Sequence, residues 1–204
     1  TDADSAKPIV EAAGFSVVKK DPELVLTFGG DGTFLKSEVA FPGVAKVLIK
    51  RSPTCRLCVG LPFDDVLSRI KWGDYSIHEM PKLKVQAGGK EWYALNDVVV
   101  RNANPRHAIR FDLVSGQHKH KGVIGDGIVV ATSLGATGYY HSITKQIFNA
   151  GIGIAFNNAS SKQDPFIVSE HEFSLMLHLT RGPALVYADN QDEEALLTDG
   201  DTVQ

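Results

Sequence analysis

The sequence predicts an N-terminal α/β domain followed by a β-rich, sandwich-like domain, on three observations. A continuous apolar run, Leu24-Val25-Leu26-Thr27-Phe28, leads straight into the glycine loop Gly29-Gly30-Asp31-Gly32-Thr33 and then into helical spacing over 34–39. Beyond about Tyr75 the pattern changes to short alternating segments divided by turns, the mark of an all-β domain. A chain of 204 residues with 43% hydrophobic and 22% charged residues is long enough for two cores and has the composition of an ordinary globular protein.

Taken in order, residues 5–13 have the apolar spacing of a short helix that Gly14 ends, with 15–18 extended behind it. The run 24–28 reads as a buried parallel strand, 44–49 as the next strand, and 64–72 as a helix with Val66, Leu67 and Ile70 on one side. This α/β domain is set at 1–76. The β-rich domain is set at 77–187, with strands over 82–86, 92–100, 108–114, 122–124, 128–132, 166–168, 172–179 and 184–187. Its one good helix candidate covers 139–150. The chain closes with a polar tail, 188–204, containing Asp189, Asp199 and Asp201, which lies outside the β-rich domain and is offered as a completion of the first.

A net charge of -3 gives no basic field, which argues against a nucleic-acid binder and for small-molecule chemistry. The Lys119-His120-Lys121 cluster reads as a solvated hairpin tip. No apolar run approaches the roughly 18 residues that span a bilayer, and the start Thr1-Asp2-Ala3-Asp4 is unlike a secretory signal, so no membrane association and a cytoplasmic location are expected. The two cysteines, Cys55 and Cys58, form a lone Cys-x-x-Cys. Such a pair is half a zinc site, with His118 and His120 as candidate further ligands, or a redox pair at a helix start; the reading adopted is two reduced, partly buried thiols.

The glycine loop carries the chemistry. Glycines let a substrate approach the backbone, and the helix that follows aims N–H groups and its positive dipole end at the loop, which suits phosphate. Thr33 is placed to cap the helix or bind a phosphate oxygen. Asp31 can face phosphates only across Mg²⁺ or a hydroxyl, which makes it the candidate base or metal-linked residue. The alternative is a tight turn whose Asp caps the helix. Neither Gly-x-x-x-x-Gly-Lys-Ser/Thr nor Gly-x-Gly-x-x-Gly after a strand occurs, so a P-loop enzyme and a Rossmann dehydrogenase are unsupported.

Gly29-Gly30-Asp31-Gly32-Thr33 resembles the motif of a kinase superfamily that includes NAD kinases, diacylglycerol and sphingosine kinases, and phosphofructokinases. Two further stretches resemble the NAD kinase family in particular: Leu95-Asn96-Asp97-Val98-Val99, an Asn-Glu motif with Asp for Glu, and the run from Gly125-Asp126-Gly127 through Thr137-Gly138-Tyr139. Asp189-Asn190-Gln191 resembles the family's Asp-Gly-Gln. The resemblance implies phosphate transfer from ATP or polyphosphate, with Mg²⁺ or another divalent cation, to the 2′-hydroxyl of the adenosine ribose of NAD. It implies an active site between the domains and a homo-oligomer, dimer or tetramer, in which a neighbouring subunit lines the site. Asp31 would assist removal of the ribose 2′-proton, with Gly29, Gly30, Gly32 and Thr33 at the phosphates. Asn96, Asp97, Asp126, Thr137, Gly138, Tyr139, Ser142 and Asp189 would contact NAD.

The chain reaches its glycine loop after only 28 residues, which predicts a reduced sheet. Leu48-Ile49-Lys50-Arg51-Ser52 replaces the family's Gly- and Asn-containing stretch, and Lys50 and Arg51 are the candidate donor-phosphate cations. Ser133, Leu134 and Ala136 stand where Pro and small hydroxyl residues are common, and Ser142-Ile143-Thr144-Lys145 lacks the usual glycines. Two rivals remain: a kinase of the same superfamily acting on a lipid or sugar hydroxyl, and a non-catalytic NAD- or nucleotide-binding homologue.

Overall fold

The structure is a computed structural model that describes residues 2–51, 55 and 57–204; Thr1, and Ser52 of the altered stretch after the loop, lie outside the described residues. The chain divides into two compact units, Thr1–Glu79 and Met80–Gln204.

In the first unit the elements run α1 (Asp2–Ala12), β1 (Leu24–Gly29), α2 (Asp31–Ala40), β2 (Ala45–Lys50) and α3 (Phe63–Trp72). β1 and β2 pair in parallel from Leu24↔Ala45 to Gly29↔Lys50, and among the described residues the sheet of this unit has these two strands. Residues 15–18, expected to be extended, form no strand, and Val17 and Val18 are exposed; without a neighbour to complete a ladder, their β-branching counts for little. The end of α2 is tied to the start of β2 by Lys46, whose ammonium pairs with Glu38 and donates to the carbonyls of Phe41 at 2.7 Å and Val44 at 2.8 Å. α3 buries Val66 and Leu67 and has Asp64 and Asp65 in its first turn and Arg69 and Lys71 in its last, the order its dipole favours.

The second unit is a sandwich of two six-stranded antiparallel sheets. Its strands are β3 (Leu83–Ala87), β4 (Lys90–Ala94), β5 (Asp97–Asn102), β6 (Ile109–Ser115), β7 (His118–Gly125) and β8 (Gly127–Ala131), then, after the short helix α4 (Tyr139–Thr144), β9 (Ile152–Asn157), β10 (Phe166–Val168), β11 (Met176–Arg181), β12 (Ala184–Ala188), β13 (Glu194–Leu197) and β14 (Thr202–Val203). One sheet has the order β10-β9-β8-β5-β12-β13, the other β4-β3-β14-β11-β6-β7. Alternating residues such as Ile109, Phe111 and Leu113 on β6 meet Val100, Ile128 and Ile154 of the opposite sheet in the core. β5 and β8 are buried on their outer face as well, where Val99, Val129 and Ala131 pack under Tyr140 of α4 and under Phe148.

Several expectations are corrected here. The segment 92–100 is two strands in different sheets, because the backbone turns at Leu95-Asn96 to pass from β4 to β5. The helix stops at Thr144, not 150: Lys145 takes the left-handed conformation at φ 60°, and the chain folds back so that Phe148 meets the Tyr140 ring edge-on at 5.0 Å. β9 was not foreseen. The tail 188–204 belongs to the second unit, since β13 pairs with β12 and β14 pairs with β11 and β3. The Lys119-His120-Lys121 cluster lies on β7 rather than on a hairpin tip.

Candidate functional site

The glycine loop stands at the carboxyl end of β1, where Gly30 caps α2 and Asp31 is its first residue. The N–H groups of Thr33 and Phe34 donate to the Gly30 carbonyl at 2.9 and 3.3 Å, closing the first turn. The cap position is held by Gly30, which has no side chain, and Asp31 stands inside the helix rather than at its cap. Gly29 has to be glycine, because a Cβ there would land on the side chain of Thr33. Arg51 returns to the loop by donating its N–H to the Gly29 carbonyl at 3.2 Å, and its guanidinium lies 6.0 Å from the centre of the Phe28 ring. Lys50 pairs opposite Gly29 in the β1–β2 register, and both basic side chains are exposed. The parallel ladder therefore carries Lys50 and Arg51 to the glycine loop.

Beside this loop Cys55 and Cys58 form a disulfide, which corrects the expectation of two reduced thiols. The Cys55 sulfur lies 3.5 Å from Asp31 Oδ1 and the Cys58 sulfur 3.4 Å from the Gly29 carbonyl oxygen. The histidines weighed as further ligands have other partners: His118 stacks on Phe166 at 4.1 Å, and His120 Nδ1 is 2.9 Å from Gln163 Oε1. Among the described residues, no group of three or more His, Cys, Asp or Glu is arranged to hold a metal ion.

In the second unit the turn between β4 and β5 is built around one carboxylate. Asp189 Oδ2 accepts the Leu95 N–H at 2.8 Å, and Oδ1 accepts those of Asn96 at 2.8 Å and Asp97 at 3.1 Å. From the other side Thr132 donates its hydroxyl to the Leu95 carbonyl at 2.5 Å and its N–H to the Asn96 carbonyl at 2.9 Å. Gly135 presses on the same turn so closely that a Cβ would collide with the Asn96 backbone. The Thr/Gly-rich run after β8 is thus seated on Asn96 and Asp97, with the Asp97 carboxylate 3.9 Å from where a Cβ of Gly138 would stand.

Asp97 is half-buried at the end of this turn, and burial, reinforced by the negative charge of Asp189, pushes its pKa up to about 7. The next layer is aromatic. Tyr139 accepts a hydrogen bond from Asn157 Nδ2 at 3.0 Å, while Ser142, one turn along α4, donates to the Tyr139 carbonyl at 2.7 Å. Tyr187 on β12 is hydrogen-bonded to Arg101 and lies near Tyr139 and Asp97; burial raises its pKa. Thr137 is half-buried in the 3₁₀ turn Gly135–Thr137 that leads into α4.

Asp126 lies elsewhere. It forms the corner between β7 and β8, its carboxylate accepting from Asn102 Nδ2 at 3.2 Å and Asn158 Nδ2 at 3.1 Å. The β5–β8 register sets Arg101 against Gly127 and Asp97 against Ala131, so Asp126 is a strand length from Asp97, about 16 Å at some 3.3 Å per residue.

No family model matches the chain. It is 32% identical over 144 residues to the NAD kinase of Saccharolobus islandicus, a match covering 69% of this chain and 56% of that protein. With the NAD kinase of Methanopyrus kandleri it shares 32% over 126 residues, covering 59% and 45% of the two chains, and with that of Sulfurisphaera tokodaii 27% over 157 residues, covering 74% and 62%. Its fold superposes on yeast NADH kinase complexed with NADH at a TM-score of 0.75 and 20% identity, over 89% of this chain and 56% of that one. The NAD kinase of Archaeoglobus fulgidus in complex with ATP gives 0.73 and 19%, over 98% and 84%. In sequence the chain is similar to NAD kinases, and it shares their fold.

It spans about half the length of the curated NAD kinases it matches. Of the residues singled out from the NAD kinase motifs, the second unit brings Asn96, Asp97, Thr137, Gly138, Tyr139 and Asp189 together and leaves Asp126 at the far corner. Sequence reasoning missed Arg101, Thr132, Asn157 and Tyr187. Thr132 had a signal, standing one position after a fully buried strand. Arg101 and Tyr187 had none, since they meet only through the pairing of β5 with β12. Among the described residues, no helix is long and apolar enough to cross a membrane.

Proposed function

We propose that this chain transfers a phosphate from ATP or polyphosphate to the 2′-hydroxyl of the adenosine ribose of NAD, making NADP. The observation that carries the reading is the seating of Asn96 and Asp97, by Asp189 and Thr132, under the Gly138-Tyr139 turn. An amide that both donates and accepts suits an adenine edge, and a carboxylate suits ribose hydroxyls. Tyr139 packs on the planar ligand, Thr137 and Ser142 offer hydroxyls, and Gly138 lets the ligand approach the backbone. Asp189 acts by positioning the turn. Asp126, a strand length away, would serve the NAD of a neighbouring copy, which fits a dimer or tetramer.

Asp31 takes the 2′-proton as the hydroxyl oxygen attacks the terminal phosphorus, and the phosphoryl group leaves the donor in line. Gly29, Gly30, Gly32 and Thr33 cradle the transferred group at the start of α2, where the dipole favours negative charge. Lys50 and Arg51, next to the loop, neutralise the donor. A divalent cation would arrive on the donor's own phosphate oxygens and supply charge neutralisation there, as Mg²⁺ commonly does with few protein ligands. The reading is tested by NADP formation from NAD and Mg²⁺ with ATP or with polyphosphate. Absence of product with both donors, despite NAD binding, would overturn it in favour of a binding module.

A further inference from the structure

We propose that the Cys55–Cys58 pair is a redox-modification site that sets the state of the Gly29–Asp31 loop. The proposal rests on the reading of Asp31 as the base of phosphate transfer. Both sulfurs touch the loop, and they touch the two atoms that matter most in it: Cys55 lies 3.5 Å from a carboxylate oxygen of Asp31, and Cys58 lies 3.4 Å from the carbonyl of Gly29. That carbonyl already accepts the Arg51 N–H at 3.2 Å, so Cys58 stands where the glycine loop joins the basic end of β2. Val59, next in the chain, is anchored by its N–H to the Leu48 carbonyl at 2.9 Å and bridges to Ile49. The pair is therefore held against the loop by backbone as well as by its own cross-link. Both cysteines are only half-buried, within reach of a small thiol.

The two oxidation states present different chemistry to Asp31. A disulfide sulfur carries no proton and only touches the carboxylate. Reduction by two thiols breaks the S–S bond and forms Cys55–SH and Cys58–SH, while the two electrons come from the thiols, which leave joined as their own disulfide. Each new S–H is a donor. That of Cys55 is directed at the oxygen that would take the ribose proton, and that of Cys58 competes with Arg51 for the Gly29 carbonyl. Reduction also releases the tether that holds Cys55 against Asp31. Both effects run the same way: the disulfide form is the faster enzyme and the dithiol form the slower.

Coupling of this kind is reciprocal, and so it is testable without any turnover. The protein is equilibrated in graded ratios of reduced to oxidised dithiothreitol, its thiols are trapped with a maleimide, and the reduced fraction is counted by mass for the native chain and for Asp31→Ala. Removing the carboxylate removes an acceptor from the dithiol form, so the variant should need about five times the ratio of reduced to oxidised reagent for half reduction, the equivalent of one ordinary hydrogen bond. An unchanged ratio overturns the proposal. The second arm follows NADP formation by the oxidised protein, the reduced protein and Cys55→Ser/Cys58→Ser. The oxidised form should exceed the reduced by about five-fold on the same hydrogen-bond scale, with the serine variant at the lower rate and indifferent to thiols. Equal rates in the two native states overturn the proposal while leaving the kinase reading intact. A shifted half-reduction ratio in a protein that makes no NADP would sink the kinase reading and leave the coupling standing.

Discussion

Asp189 holds Asn96 from a distance of 93 positions along the chain, its Oδ1 accepting the Asn96 N–H at 2.8 Å. The same carboxylate accepts the N–H groups of Leu95 and Asp97, so one side chain satisfies three consecutive backbone donors in a half-buried turn. Asp189→Ala should cost about 2–4 kcal/mol in urea unfolding, since charge-assisted bonds are lost and buried donors orphaned. NAD affinity should fall with it. A change below about 0.5 kcal/mol, the range of an ordinary surface substitution, would show that water replaces the carboxylate without loss.

Asp97 makes the turn sensitive to pH. With its folded pKa at about 7, the folded protein binds a proton between roughly pH 4 and 7 that the unfolded chain has released. Stability from this group is therefore fully present below pH 4 and is lost as pH rises toward 7, on the order of a few kcal/mol. Asp97→Asn should flatten that fall, which urea titrations at pH 4.5 and about 8 would detect. If the ionised carboxylate accepts ribose hydroxyls, NAD affinity in the native protein should rise through pH 7, and in the variant it should not; parallel pH profiles would count against it.

Asp31→Asn keeps the size of the side chain and removes its basicity. The rate of NADP formation should drop by about 100-fold or more, as expected for loss of a general base, while the dissociation constant for NAD stays within about two-fold. A variant that retains the native rate would place the base elsewhere.

Gly135→Ala tests how tightly the Thr/Gly-rich turn rests on Asn96. The added methyl has to displace backbone rather than the end of a flexible side chain, so unfolding free energy should fall by about 2–3 kcal/mol, near the upper range for overpacking. NAD affinity should weaken together with stability. A well-folded variant with native affinity would mean that the two segments separate freely.

What the sequence disclosed follows from how locally each feature is encoded. The glycine loop was legible because strand, glycines, carboxylate and helix are contiguous in the chain. Asn96, Asp97 and the run ending at Tyr139 were legible as motifs, but their contact with each other was not, since it depends on Thr132 and Gly135 folding back over β5. Arg101 and Tyr187 stayed hidden because sheet register, set by burial across the whole sandwich, brings them together. β9 escaped notice because Gly153 interrupts its apolar run, and the helix was overextended because nothing about a lysine announces a left-handed conformation at Lys145. The disulfide was misread for a different reason: two cysteines three positions apart are compatible with thiols, a metal or a cross-link, and only the path of the backbone decides.

The long reach of Asp189 also orders events during synthesis. Asn96 and Asp97 leave the ribosome early, but β5 has to wait for β12, its neighbour in the sheet, and the three N–H groups of the turn wait for the carboxylate one residue beyond that strand. The adenosine end of the proposed site is thus completed only when most of the sandwich has emerged. A nascent chain stopped short of residue 189 would carry every other residue of that cluster and still be unable to assemble it.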